Sequence, residues 1–172
     1  MKILNFIYTF PLSLKLPILL VKKEYTKIDK FSDKIYKNKY KEFIKLYFLF
    51  NSKLQQNEME KAKYYFWFLK NKYGIDKGVV YDYMKGIIKN YIEVKDCNKS
   101  LKAKEECEKL LTLYDDKELK VYILKVLCTA AYYCWEFGEV RKYCKELNAI
   151  GDDNDTDYVR GYLKAIELEE NK

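Results

Sequence analysis

The stretch NEMEKAKYYFWFLKNKY, residues 57–73, contains five consecutive aromatic residues at positions 64–68 and charged residues on both sides of them. Its apolar side chains recur at steps of three and four: Met59, Ala62, Phe66, Leu69 and Tyr73. This is the spacing of one face of an α-helix. Because aromatic residues at helical spacing usually fill protein interiors, the stretch predicts an amphipathic helix whose rings pack against neighbouring helices.

The composition favours long helices elsewhere in the chain as well. The 172 residues include only 2 Pro and 6 Gly, while 49% are hydrophobic and 34% are charged. Few turn formers and many Lys, Glu and Leu are typical of helical proteins. The length suits one domain or one short array of repeats.

Several enzyme classes are disfavoured by the residues that the chain lacks. There is no His, which excludes His-based triads and His-ligated zinc. The sequence also contains neither a nucleophile-elbow pattern nor a glycine-rich phosphate loop. The five Cys include no CxxC pair, so we expect buried, reduced thiols rather than a metal site. The sequence thus predicts a protein that is not an enzyme and holds no cofactor.

Further helical patterns follow one another with short polar breaks between them. They cover residues 40–55, 79–94, 99–113, 118–136, 139–150 and 157–167. Short connections of this kind make neighbouring helices antiparallel. The polar stretch GDDNDTD at 151–157 is interpreted as a loop in which Asp155 or Thr156 caps the last helix.

The helical pairs recur with a fixed period. Leu46, Ile87 and Leu127 occupy equivalent positions of the first helices, 41 and 40 residues apart. Ala62, Ala103 and Tyr143 do the same in the second helices. A period of this length predicts an all-α fold, an α-solenoid of about three antiparallel helical hairpins. The last helix then caps the stack, and the chain divides into an N-terminal arm with a basic helix, residues 1–38, and a repeat domain, residues 39–172.

The segments QNEMEKAKYYFWFLK and FGEVRKYCKEL resemble the turn and second helix of tetratricopeptide repeats. Ala62 matches the small position of that family, Phe66 the aromatic position and Gly138 the turn glycine. The resemblance covers about residues 39–168. It differs from the family in its period of 40 to 41 residues rather than 34, and in Tyr143 at a position where a small residue is expected.

The resemblance implies that the first helices form a concave surface that binds a protein or peptide partner of unknown identity. The candidate peptide-binding residues are Tyr47, Asn51, Leu54, Lys85, Ile88, Ile92, Lys95, Lys125, Cys128, Tyr132 and Trp135. Rings, aliphatic groups and lysines together suit an extended or helical peptide that bears acidic groups. The resulting hypothesis is a cytoplasmic, non-catalytic scaffold or adaptor.

The apolar N-terminal segment leaves three interpretations open. Residues 3–21 are nearly all apolar but contain Lys15 and two prolines. The segment is expected to dock along the solenoid, to contact a membrane, or to act as a secretory signal that lacks a recognisable cleavage site. Membrane contact gives the alternative function, a membrane-associated accessory protein anchored by residues 1–21. Residues 1–72 carry 16 Lys against 6 acidic residues, but with only two Arg in the chain, nucleic-acid binding is not expected.

Overall fold

The computed structural model describes residues 18–32 and 39–171, and the regular structure in these ranges is helical, without a β-strand. The helices are α1 (Tyr25–Ser32), α2 (Lys39–Gln55), α3 (Met59–Tyr73), α4 (Lys77–Ile87), α5 (Cys97–Leu113), α6 (Lys117–Tyr133), α7 (Phe137–Ile150) and α8 (Asp153–Glu170). The prediction of an all-α fold is confirmed for these residues. None of their helices is both long enough and apolar enough to cross a membrane.

The helix predicted over 79–94 is not a single α-helix. Helix α4 ends at Ile87, and a π-helical turn, Ile88–Ile92, follows it. A π turn inserts an extra residue and so rotates the side chains that follow. Tyr91 and Ile92 are buried in this turn, whereas Asn90 is only half-buried. Periodicity counting cannot anticipate this change of pitch.

The start of α8 also differs from the prediction. The predicted cap was Asp155 or Thr156, but the N-cap residue is Asp152, and the helix begins four residues earlier than expected. Asp152 accepts a hydrogen bond from the Asp155 backbone N–H at 3.1 Å, and the Asp155 carboxylate accepts one from the Asp152 backbone N–H at 2.9 Å. This reciprocal capping box satisfies two otherwise unpaired donors. Gly151 is required beside it, because a Cβ there would lie 2.5 Å from the Cβ of Asp155.

The chain forms two compact units, one ending at Gly86 and the other beginning at Ile87. In the first unit, α2 packs against α3, and α1 packs on α2. Three aromatic rings form the centre of its core: Phe66 stacks on Tyr83 with ring centroids 3.9 Å apart, and Phe50 lies about 6 Å from both. All three are fully buried.

Part of the N-terminal region belongs to the first unit. Ile28 of α1 is fully buried, and Leu19, Leu20 and Phe48 pack around it. The interpretations of residues 1–17 lie outside the described residues. Ile18 and Val21, at the start of the described part, are exposed.

In the second unit, each helix packs against the next along the chain, from α5 to α8. Contacts also join helices that are two apart. The Tyr143 hydroxyl of α7 donates a hydrogen bond of 2.6 Å to Glu108 of α5. The Tyr158 hydroxyl of α8 donates one of 2.8 Å to the Lys125 carbonyl of α6. A residue of unexpected size in the repeat pattern, Tyr143, thus bridges α5 and α7.

The turns inside the predicted hairpins share one backbone feature. Asn57, Lys95 and Trp135 have positive φ angles of 59°, 55° and 60°, and each lies two residues before the start of a second helix. The N–H of each donates to the carbonyl three residues earlier, at Leu54, Ile92 and Tyr132. This left-handed residue ends the first helix and is usually Gly. Because none of these three positions is a glycine, the sequence did not predict the left-handed conformation.

The five aromatic residues at positions 64–68 do not share one environment. Phe66 is fully buried, Tyr65, Trp67 and Phe68 are half-buried, and Tyr64 is 62% exposed. The residues of the proposed repeat register, by contrast, are uniformly buried: Leu46, Ile87, Leu127, Ala62, Ala103 and Tyr143. The helical spacing therefore located the core face correctly, although most of the rings lie at its edge.

Candidate functional site

Two of the predicted binding residues meet in the first unit. Tyr47 of α2 and Lys85 of α4 line an open cleft of about 730 Å³. The rest of its lining is aromatic, acidic or small: Phe43, Asp76, Gly78, Val79, Tyr81 and Asp82. Helix α4 follows α3 after Gly74, whose φ is +68°, and it contacts α2 where Tyr83 meets Phe50 and Gly86 lies close to Leu54. The open cleft is referred to below as the α2–α4 cleft.

The walls of the α2–α4 cleft are ordered by local contacts. The ring of Phe43 stacks on Tyr47 at 6.3 Å and meets Tyr73 of α3 edge-on at 5.6 Å. Asp76 is used structurally, since its carboxylate accepts a hydrogen bond from the Val79 N–H at 3.0 Å. The resulting surface offers rings with polar edges, a combination that suits peptide side chains.

The second unit contains an aromatic patch made of Tyr132, Trp135, Phe137 and Tyr162. The ring of Tyr132 lies 6.0 Å from Phe137 and 5.5 Å from Tyr162, and Trp135 lies 5.7 Å from Phe137. Trp135 is 67% exposed, and the other three rings are half-buried. Two predicted binding residues therefore lie together on a continuous aromatic surface, and Trp135 is its most exposed member.

A hydrogen-bonded seam between α6 and α8 holds the patch in place. Thr129 accepts a hydrogen bond from the Tyr162 hydroxyl at 2.8 Å and donates one to the Lys125 carbonyl at 3.0 Å. Lys125 forms an ion pair with the buried carboxylate of Asp155. The hydrogen bond from Lys125, together with that from the Asp152 backbone, holds the pKa of Asp155 below its usual value. Rigid support of this kind lowers the entropy that the rings lose on binding.

The remaining predicted residues do not share one surface. Leu54, Ile92 and Cys128 are buried inside their own units. Leu54 is covered because Gly86 allows α4 to approach it closely. Ile88 and Asn51 are half-buried, and the Asn51 amide donates to the Tyr47 carbonyl at 2.9 Å. Lys95 is exposed in its turn. Leu54, Ile92 and Cys128 line neither the α2–α4 cleft nor the aromatic patch, so they do not belong to the binding surface.

Sequence reasoning missed several residues of these surfaces. Phe43, Tyr81 and Asp82 line the α2–α4 cleft, and Phe137 and Tyr162 complete the aromatic patch. Phe137 was read as part of a turn and Tyr162 as part of a capping helix. The available signal was the repeat hypothesis: if the last helix is the first helix of a further hairpin, its aromatic residues are expected on the same face as Tyr132.

Carboxylate and thiol side chains are the groups of the described residues that could bind a metal ion or act as nucleophiles. The described residues contain no group of three or more His, Cys, Asp or Glu side chains arranged to hold a metal. Burial raises the pKa of the Cys107 thiol, and the hydrogen bond to Cys144 together with burial raises that of Cys128. Burial also raises the pKa of Cys134 to about 12. Thiols held in the protonated form are poor nucleophiles and poor metal ligands.

Comparison with known proteins gave no match: no protein-family model, no curated protein and no solved structure resembles the chain significantly. The surfaces of the two units are therefore the basis on which a function can be proposed.

Proposed function

We propose that the protein is a non-catalytic scaffold whose helical hairpins form a TPR-like solenoid with a period of 40 to 41 residues, and which binds a protein or peptide partner. Two repeated features support the solenoid: a buried register of equivalent residues, and a left-handed residue at the same place in each hairpin turn. The partner is held through the aromatic patch, with the α2–α4 cleft as a further contact surface.

Trp135 is the observation that carries the proposal. A non-glycine residue in the left-handed region costs about 1–2 kcal/mol. Lys95 and Asn57 adopt the same conformation, so the turn itself does not require an aromatic side chain. With 67% of its surface exposed, the Trp135 ring contributes little to the core. Exposed Trp beside Tyr is typical of residues that dominate binding interfaces.

The proposal is tested by partner recovery with patch variants. The tagged full-length protein is used to isolate binding partners from its native cells, together with a Tyr132→Ala/Trp135→Ala variant. The control is Tyr64→Ala, which removes another exposed ring from a helix outside the patch. We expect the control to retain a stoichiometric partner and the double variant to lose it. Equal recovery by a double variant with unchanged circular dichroism would refute the proposal.

The alternative function, a membrane-associated accessory protein, has one observation in its favour. Ile18 and Val21 are 52% and 82% exposed at the boundary of the apolar segment. Exposed apolar side chains next to lysines favour the surface of an anionic membrane. Membrane pelleting that disappears when residues 1–21 are deleted would support this alternative. Pelleting that is unchanged by the deletion, or absent from the full-length chain, would remove it.

A further inference from the structure

A further groove lies in the second unit, between α7 and α8. Its volume is about 640 Å³, and it is separate from the aromatic patch. Its floor consists of the buried residues Cys144 and Val159 with the half-buried Leu163. The groove is bounded at one end by a hydrogen bond from Thr156 to Asn148 at 3.2 Å and at the other by the ion pair of Arg141 with Glu170 at 2.6 Å.

The rims of the groove are basic. Arg141 and Lys145 are one turn apart on α7, and Arg160 and Lys164 are one turn apart on α8. Glu167 is the single acidic residue of the lining. Residues 87–172 as a whole carry 15 basic and 18 acidic residues. The groove lining is therefore positively charged although the unit as a whole has an excess of acidic residues. Both arginines of the chain are among the four basic residues.

Two of the four cations are not neutralised. Arg141 pairs with Glu170, and Arg160 pairs with Asp157 at 2.9 Å. Lys145 and Lys164 have no carboxylate partner within the described residues, and both are exposed. Unpaired cations beside an apolar cleft attract anionic groups, because the low-dielectric wall concentrates their field.

We propose that the groove between α7 and α8 docks an acidic amphipathic helix from a partner protein. The helix lays its apolar stripe on Val159 and Leu163, and its flanking Glu or Asp residues meet Lys145 and Lys164. Each rim is about 10 Å long, at roughly 1.5 Å per helical residue: one runs from Arg141 to Asn148 and the other from Arg160 to Glu167. This length matches two turns of a docked helix. This is the helix-in-groove mode of recognition.

Other occupants fit the groove less well. Its lining contains no aromatic ring on which a nucleic-acid base would stack. The chain's own N-terminal part is not complementary, because residues 1–72 carry 16 Lys and only 6 acidic residues. The proposal does not depend on the aromatic patch, since the two surfaces share no residue.

The test uses the full-length protein and two synthetic peptides. Each fluorescein-labelled peptide has about 14 residues, four helical turns, with Leu at steps of three and four. One peptide carries Glu at the flanking positions, and the other carries Gln. Binding is followed by fluorescence anisotropy at low and at near-physiological ionic strength. We expect the Glu peptide to bind about tenfold or more tightly than the Gln peptide, with a loss of affinity as salt is added.

The variant is Lys145→Glu/Lys164→Glu, and its matched control is Lys89→Glu/Lys99→Glu. The control makes the same change of net charge in the same unit, at exposed lysines outside the groove. We expect the groove variant to bind the Glu peptide at least about tenfold more weakly and the control to change affinity less than about threefold. Circular dichroism verifies that both variants are folded.

Three results would overturn the proposal. Equal binding of the Glu and Gln peptides would show that the groove does not select acidic partners. Equal losses in the two double variants would show that the peptide senses only net charge. A single-stranded oligonucleotide that displaces the Glu peptide from the wild-type protein, but not from the groove variant, would identify a polyanion site instead. The Tyr132→Ala/Trp135→Ala variant is expected to bind the Glu peptide normally, so failure here is distinguishable from failure of the aromatic patch.

Discussion

Replacing Phe66 by Ala should destabilise the first unit more than any other single change in the aromatic run at 64–68. The Phe66 ring is fully buried, and its face lies 3.9 Å from Tyr83 with an interplanar angle of 14°. Truncating a buried Phe costs about 3–5 kcal/mol, and loss of the stacked pair places this case toward the upper end of that range. Because domains are stable by about 5–15 kcal/mol, the change removes a large share of the total.

The assay is urea unfolding followed by circular dichroism, with tryptophan fluorescence as a second probe, since one of the two Trp rings, Trp67, meets Phe66 edge-on at 5.3 Å. A loss of about 4 kcal/mol lowers the midpoint by about 2 M if the slope is about 2 kcal/mol per M. The matched control is Tyr64→Ala in the same helix. Tyr64 is 62% exposed, so its removal should change stability by less than about 1 kcal/mol. Equal midpoints for the two variants would refute the assignment of Phe66 to the core.

Three further predictions concern turns, charge and thiols. Lys95→Gly should stabilise the protein by about 0.5–1 kcal/mol in thermal unfolding, because Lys95 has a φ of 55° and Gly adopts that conformation without strain; destabilisation would contradict the turn geometry. Asp155→Asn should cost about 1–3 kcal/mol at neutral pH, since it removes the charge that pairs with Lys125 and leaves only a neutral amide oxygen to accept the Asp152 N–H of the capping box. The pKa of Asp155 is lowered in the folded state, so the ionised carboxylate stabilises the fold above about pH 4, and this stabilisation is lost as the pH falls through the folded-state pKa. A difference in stability between wild type and Asp155→Asn that persisted below that pKa would contradict this. In native protein, a thiol reagent should label Cys97 first and Cys107 only after unfolding, because Cys97 is exposed and Cys107 is buried; rapid labelling of Cys107 would show that the α5 core is open.

The sequence was sufficient for the helices and for the core face of each hairpin. A spacing of three and four residues located Leu46, Ile87 and Leu127 on the buried side, because burial of an apolar stripe is what holds an amphipathic helix in place. Most of the short breaks located turns, although residues 137–138 and 153–156, which were left between the predicted helices, are helical. The spacing and the breaks are local patterns, and a single sequence records them directly.

The missed features depend on how helices approach one another. The π-helical segment after Ile87 rotates the side chains that follow it. No residue type in the sequence predicts such a segment. Cys128 was placed on the binding surface, but its thiol lies 3.8 Å from that of Cys144 on α7 and is buried. Leu54 was also placed on the binding surface, but α4 covers it because Gly86, which has no Cβ, lets that helix approach Leu54 closely.

The measurement that tests the repeat most directly is a set of distances between equivalent residues. Lys61, Lys102 and Lys142 are spaced by 41 and 40 residues, lie on the second helices and are all exposed. Spin labels introduced at pairs of these positions, in a Cys97→Ser background that removes the exposed native thiol, report the separations by dipolar electron paramagnetic resonance. A solenoid predicts that the distance from 61 to 102 equals that from 102 to 142, with neighbouring helix axes about 10 Å apart. Clearly unequal distances would contradict the repeat and the scaffold built on it.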